Sequence, residues 1–125
     1  MANPNIVGVS TITLETRFTN ITTETQTEIL PQIATGDIVR LKEVRVSENS
    51  SSTTAVTLEY YDPYASPSAT YYPIVNNHHI PPDSTSVIFS GVFHVKEDDS
   101  LTITPDDIDG STVNLTVAVT YEVLS

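Results

Sequence analysis

The chain has 125 residues, a formal net charge of −11 from 16 acidic and 5 basic side chains, no cysteine, and a hydrophobic content of 38%. That length is one domain able to bury a core without staples. The absence of cysteine excludes a disulfide scaffold, a zinc ribbon and a thiol nucleophile. The acidic balance argues against nucleic acid and anionic membranes, which are met with Lys and Arg.

Residues 1–9 read as an N-terminal arm, in which Pro4 disfavours regular structure and Ile6, Val7 and Val9 supply apolar anchors. Residues 10–125 read as a single domain. Thr11–Ile21 alternates, and Ile12, Leu14 and Phe18 on one side predict a half-buried strand. Thr22–Thr27 is polar, Glu28–Ile33 carries Ile29, Leu30 and Ile33 around Pro31, and Gly36-Asp37 signals a turn. In Asp37–Ser47 the apolar phase slips at Lys42-Glu43, from Val39 and Leu41 to Val44 and Val46, which predicts a β-bulge.

Glu48–Thr53 (ENSSST) predicts a hairpin-like loop, and Thr54–Tyr61 a strand with Val56, Leu58 and Tyr60 inward. Asp62–Ala69 (DPYASPSA) is a loop. Thr70–Val75 is a short strand whose Pro73 suits a sheet edge. Asn76–Asp83 reads as a break, Ser86–Phe89 and Val92–Val95 as two strands split by Ser90-Gly91, Lys96–Ser100 as a turn, and Leu101–Thr104 as a strand. Pro105–Gly110 is a turn or a single helical turn. The last segment, VNLTVAVTYEVLS, alternates without a break and predicts a central strand packed against faces such as Ile12-Leu14-Phe18 and Val56-Leu58-Tyr60. About eight short strands with turn-rich spacing define an all-β class, an antiparallel β-sandwich of jelly-roll type.

Candidate chemistry is sparse. Asp106-Asp107-Ile108-Asp109-Gly110 hints at a calcium loop, but aligning Gly110 with the loop glycine puts Pro105 at the first ligand position and Thr116 where the closing Glu belongs. A looser cation site would draw on Glu97, Asp98 and Asp99. His78 and His79 point to opposite faces of a strand and cannot share one ion without a turn. No GxSxG elbow is present. The expectation is therefore a non-enzymatic protein without cofactor, metal site or catalytic residue. Tyr60, Tyr61, Tyr64, Tyr71 and Tyr72 cluster around the DPYASPSA loop, with Tyr60 and one of Tyr71 or Tyr72 expected in the core. Tyr61, Tyr64 and Tyr72, with Ile6, Val7 and Val9 of the arm, are the candidate protein-interface residues, since tyrosine offers area and a hydroxyl together. A carbohydrate-binding module is the rival use of exposed tyrosines.

Taken together, MANPNIV, GDIVRLKEVRV, IPPDSTSVIF, FHVKEDDSLTI and VTYEVLS resemble, in order, a family of small virion structural proteins of tailed bacteriophages, notably marine and cyanobacterial ones. Pro82 stands where that family has Ala, Val95–Asp99 stands for its acidic turn, and Val123 replaces a Glu; the segment from Tyr61 to Ile80 matches poorly. The resemblance implies a β-sandwich particle component, made in the host cytoplasm and located in the virion. The leading expectation is a capsid decoration (cement) protein that is a homo-oligomer and contacts the major capsid protein or other virion proteins; the alternative is a neck, tail or fibre component. Neither nucleic acid nor a membrane is expected as a partner.

Overall fold

The computed structural model describes residues 11–108 and 113–125. Eight strands run through them: β1 Ile12–Ile21, β2 Thr27–Leu30, β3 Ile38–Glu48, β4 Thr54–Asp62, β5 Thr70–Ile80, β6 Thr85–Val95, β7 Ser100–Asp107 and β8 Leu115–Leu124. They form two four-stranded antiparallel sheets, ordered β1-β8-β3-β6 and β2-β7-β4-β5. Consecutive strands alternate between the sheets except at the β4–β5 hairpin. That order is the eight-stranded jelly roll, two Greek keys wrapped into a sandwich, as the strand pattern predicts.

The apolar layer comes from the central strands. In β8, Leu115, Val117, Val119 and Tyr121 point inward; in β3, Val39 and Leu41 do so before the phase slip, and Val44 and Val46 after it. The slip is the expected bulge: both ladders of β3 shift register between Leu41 and Glu43. Opposite it, Gly91 sits at φ +142°, a conformation that favours glycine. Because β3 keeps pairing on both sides of Gly91, Ser86–Phe89 and Val92–Val95 are one strand and not two. The same continuity carries β5 to Ile80, through the expected break: Asn77 takes φ +52° there and the β4 register shifts between Val56 and Leu58. Pro73 lies on β5, an edge strand, where its missing N–H costs no ladder bond on the open side. β7 extends to Asp107, past Pro105, where the short β2 no longer reaches. Asp109 and Gly110 lie outside the described residues, as does the whole of the predicted arm.

Two further sequence expectations fail. ENSSST is not a hairpin loop: β3 pairs with β6 and β8, β4 with β5 and β7, so the segment crosses between sheets. It is tied down by Glu48 N–H to Ser84 O (2.7 Å), Asn49 N–H to Asn114 O (2.9 Å) and Asp83 N–H to Ser50 O (3.0 Å). Ile12, Leu14 and Phe18 do not pack under β8. The β1–β8 register sets Leu14 opposite Glu122 and Phe18 opposite Ala118, on the outer face, while Val117, Val119 and Tyr121 face inward. The three side chains are 55%, 67% and 70% exposed.

Truncating the fully buried Leu58 to Ala is expected to lower unfolding free energy by about 2–5 kcal/mol. Val92→Ala, at an exposed edge position, is expected to change it by about 0.5 kcal/mol or less. Urea titration of both variants checks the assignment of core and surface.

Candidate functional site: an aromatic groove and a bare strand edge

The β4–β5 hairpin distributes the tyrosines by strand parity. Tyr60 pairs with Tyr72 on the inner side, Tyr61 with Tyr71 on the outer side. Tyr61 and Tyr71 stack with ring centroids 4.4 Å apart and planes at 28°. Tyr64, at 76% exposure, stands in the connecting loop, where its N–H donates to Asp62 Oδ1 at 3.0 Å. Tyr72 lines an open groove of about 470 Å³ with Tyr60, Pro73, Ile74, Phe93 and His94. The candidate residues Tyr61, Tyr64 and Tyr72 are thus not brought together: they occupy the outer face, the loop and the groove. Neither Tyr71 nor Tyr72 joins the core, because β5 is an edge strand that overhangs the apolar layer; both are exposed. Phe93 and His94 complete the groove and were not flagged by sequence, since their contact depends on β6 lying beside β5 across the two sheets.

Tyr60 anchors the turn between β6 and β7. Its hydroxyl donates to the carboxylate of Asp99 and accepts the Lys96 N–H at 3.4 Å. Asp99 is 1% exposed, and its main chain ties the turn to the β2–β3 connection through Ile33 N–H to Asp99 O at 3.0 Å. Burial pushes the Asp99 carboxyl above its ordinary value of 3.8, against the opposing pull of the Tyr60 hydrogen bond. Burial and the same carboxylate push the Tyr60 phenol strongly upward. The pair is a latch: one donor, one acceptor, the carboxylate buried and the phenol half-buried. The described residues lining the groove include no carboxylate, serine or cysteine.

The outer face of the β1-β8-β3-β6 sheet has a different character. Arg40 and Lys42 reach Glu122 at 3.2 and 3.7 Å, and Arg45 reaches Glu43 at 3.3 Å. Three of the five basic residues therefore gather on one strand of one face of an acidic protein. Beside them runs a row of neutral hydrogen bonds, Thr116 Oγ1 to Asn20 Oδ1 (3.0 Å), Asn49 Nδ2 to Thr116 Oγ1 (2.9 Å) and the Ser47–Thr85 hydroxyl pair (2.9 Å). At the margin lie Ile12, Leu14 and Phe18 of β1, whose far side has no strand beside it among the described residues.

No metal centre forms among the described residues: no three His, Cys, Asp or Glu side chains converge. His78 and His79 are consecutive in β5, paired with Val56 and Ala55. Glu97–Asp99 and Asp106–Asp107 stand at opposite ends of β7, roughly 20 Å apart at strand rise, so they cannot share the looser cation site.

No family model matches the chain, and no curated protein matches it. Among solved structures, the fold is similar to that of a chain in the T13 particle of infectious bursal disease virus, with TM-score 0.50 and 10% identity, covering 93% of this chain and 35% of that one. A chain of the Gx strain of the same virus aligns with TM-score 0.49 and 8% identity over 94% of this chain and 32% of that one. A protein of Bacillus endospore appendages, described as a family of disulfide-linked pili, aligns with TM-score 0.46 and 16% identity over 91% and 87%. The chain spans about a third of the virus chains it resembles. At these identities the likeness is one of fold.

The latch has a signed pH dependence. With the folded-state pKa of Asp99 raised above 3.8, its contribution to stability is fully present below that value and is lost as pH rises through the folded pKa. Asp99→Asn keeps an acceptor for Tyr60 without the buried charge. Its stability relative to the parent is expected to improve steadily from acid to neutral pH in chemical unfolding. Tyr60→Phe, which strands the carboxylate, is expected to cost about 1–3 kcal/mol at neutral pH.

Proposed function

We propose that the chain is a non-enzymatic structural subunit of a virus particle, and specifically a capsid decoration (cement) protein of a tailed bacteriophage that binds and stabilises the shell. The observation that carries this reading is the jelly-roll strand order together with a sheet margin, β1, that no other described strand covers and that bears the exposed Ile12, Leu14 and Phe18. A particle component multiplies one modest contact by symmetry, and an open strand margin supplies such a contact through the main chain. The sequence resemblance supports the same reading.

In this reading Ile6, Val7 and Val9 bridge the subunit to the shell or to a neighbouring subunit, and Tyr64, with Tyr61 and Tyr72 on adjoining surfaces, contacts a protein neighbour. The dispersal of these tyrosines over different faces disfavours a sugar-stacking platform. Copy number in purified particles is expected to be in the hundreds, as a shell lattice requires; about a dozen copies would place the protein at the neck or tail instead. Deletion of residues 1–9 is expected to abolish full occupancy of particles, measured by gel densitometry after sedimentation; undiminished occupancy would remove the arm from the reading.

A further inference from the structure

Among the described residues the sandwich has four edge strands, and three are blunted. β2 is four residues long and is followed by Pro31; β5 carries Pro73 and two register breaks; β6 carries Gly91 and two register breaks. β1 runs ten residues in unbroken register with β8, with neither Pro nor Lys. A long, regular edge of this kind is a template for another strand. Glu15 and Arg17, projecting from its inner face beside Tyr121, give this edge a charge pattern that an arbitrary strand does not match.

We infer that β1 pairs with β1 of a second copy of this chain, antiparallel about a two-fold axis through Thr16. The segment Thr13-Leu14-Glu15-Thr16-Arg17-Phe18-Thr19 is complementary to its own reverse. About that axis, Glu15 faces the partner's Arg17 and Arg17 faces the partner's Glu15. Leu14 faces the partner's Phe18, and Thr13 the partner's Thr19. At the ends, Ile12 meets the partner's Asn20. Charge meets opposite charge on one face, and on the other the Leu14–Phe18 pairs flank the central Thr16 pair.

The backbone has the right parity. Thr11 and Ser125 exchange both main-chain hydrogen bonds, each at 3.0 Å. In an antiparallel ladder such pairs recur at every second residue, so odd-numbered residues of β1 bond to β8. The N–H and C=O groups of Ile12, Leu14, Thr16, Phe18 and Asn20 therefore face the open side. A two-fold axis at Thr16 pairs these residues with one another as hydrogen-bonded pairs. It leaves Glu15 and the partner's Arg17 as a non-hydrogen-bonded pair, the closer kind. The interface is isologous and closes at two copies, giving one continuous sheet, β6-β3-β8-β1 followed by its two-fold mate. This inference does not rest on the virion reading: a dimer that binds no particle would remove that reading and leave this one standing.

The test is charge reversal in the full chain, read by native mass spectrometry and sedimentation at micromolar concentration and low salt. The parent is expected at twice the chain mass. Glu15→Arg and Arg17→Glu each set like charges opposite one another at two symmetric positions and are expected to weaken the dimer roughly tenfold or more. Mixing the two variants is expected to restore a heterodimer of parental strength, and the double variant E15R/R17E to restore the homodimer. Thr16→Pro removes an outward N–H without touching the β8 ladder and is expected to leave a monomer with unchanged far-ultraviolet circular dichroism. A monomeric parent, single reversals that dimerise like the parent, or a mixture that fails to recover would each overturn the inference.

Discussion

The apolar layer between the two sheets is the constraint on which the rest of the molecule depends. Its fully buried members come chiefly from the central strands β8, β3, β7 and β4. The chain must cross between sheets at almost every connection to place those four strands face to face. The edge strands inherit what is left. β1 and the middle of β5 overhang the layer, so their side chains need not fill a core and are available as surface. Both the tyrosine groove and the bare margin follow from that overhang.

Electrostatics sorts the surface that the layer exposes. Arg40, Lys42 and Arg45 share the outer face of β3 and are answered by Glu122 and Glu43. The sheet carrying β1 therefore has a nearly balanced face in a protein of net charge −11. Two copies approaching through β1 bring balanced surfaces together and keep the more acidic remainder apart, which suits association by main-chain pairing. Asp99 shows the opposite strategy: a single carboxylate is withdrawn from water and held by Tyr60, fixing the β6–β7 turn against the β2–β3 connection.

Much of the fold was legible because a strand writes its period directly into the sequence. The phase slip at Lys42-Glu43 announced a bulge, Pro73 announced an edge, and the unbroken alternation of Val113–Val123 announced a central strand. Legibility ended where the answer depends on a partner strand. Asn76–Asp83 and Ser90-Gly91 look like breaks, yet neighbouring ladders carry β5 and β6 through them. ENSSST looks like a hairpin, but nothing local says whether the next strand pairs with the last. The clustering of tyrosines along the chain was plain, and so was the inward turn of Tyr60 with Val56 and Leu58; the exposure of Tyr71 and Tyr72 was not, because it follows from β5 lying at the sheet edge.

The amino-acid sequence by itself determined the all-β class, the approximate strands and the one-sided apolar pattern of each, because period and turn chemistry are local. Only the tertiary structure decided whether the apolar side of a strand meets the core. For β8 it does, through Val117 and Val119. For β1 the register with β8 turns Ile12, Leu14 and Phe18 outward, although their alternation is just as regular. The reason is physical: alternation states that a strand has two unlike faces, while the neighbour it pairs with determines which of them is covered.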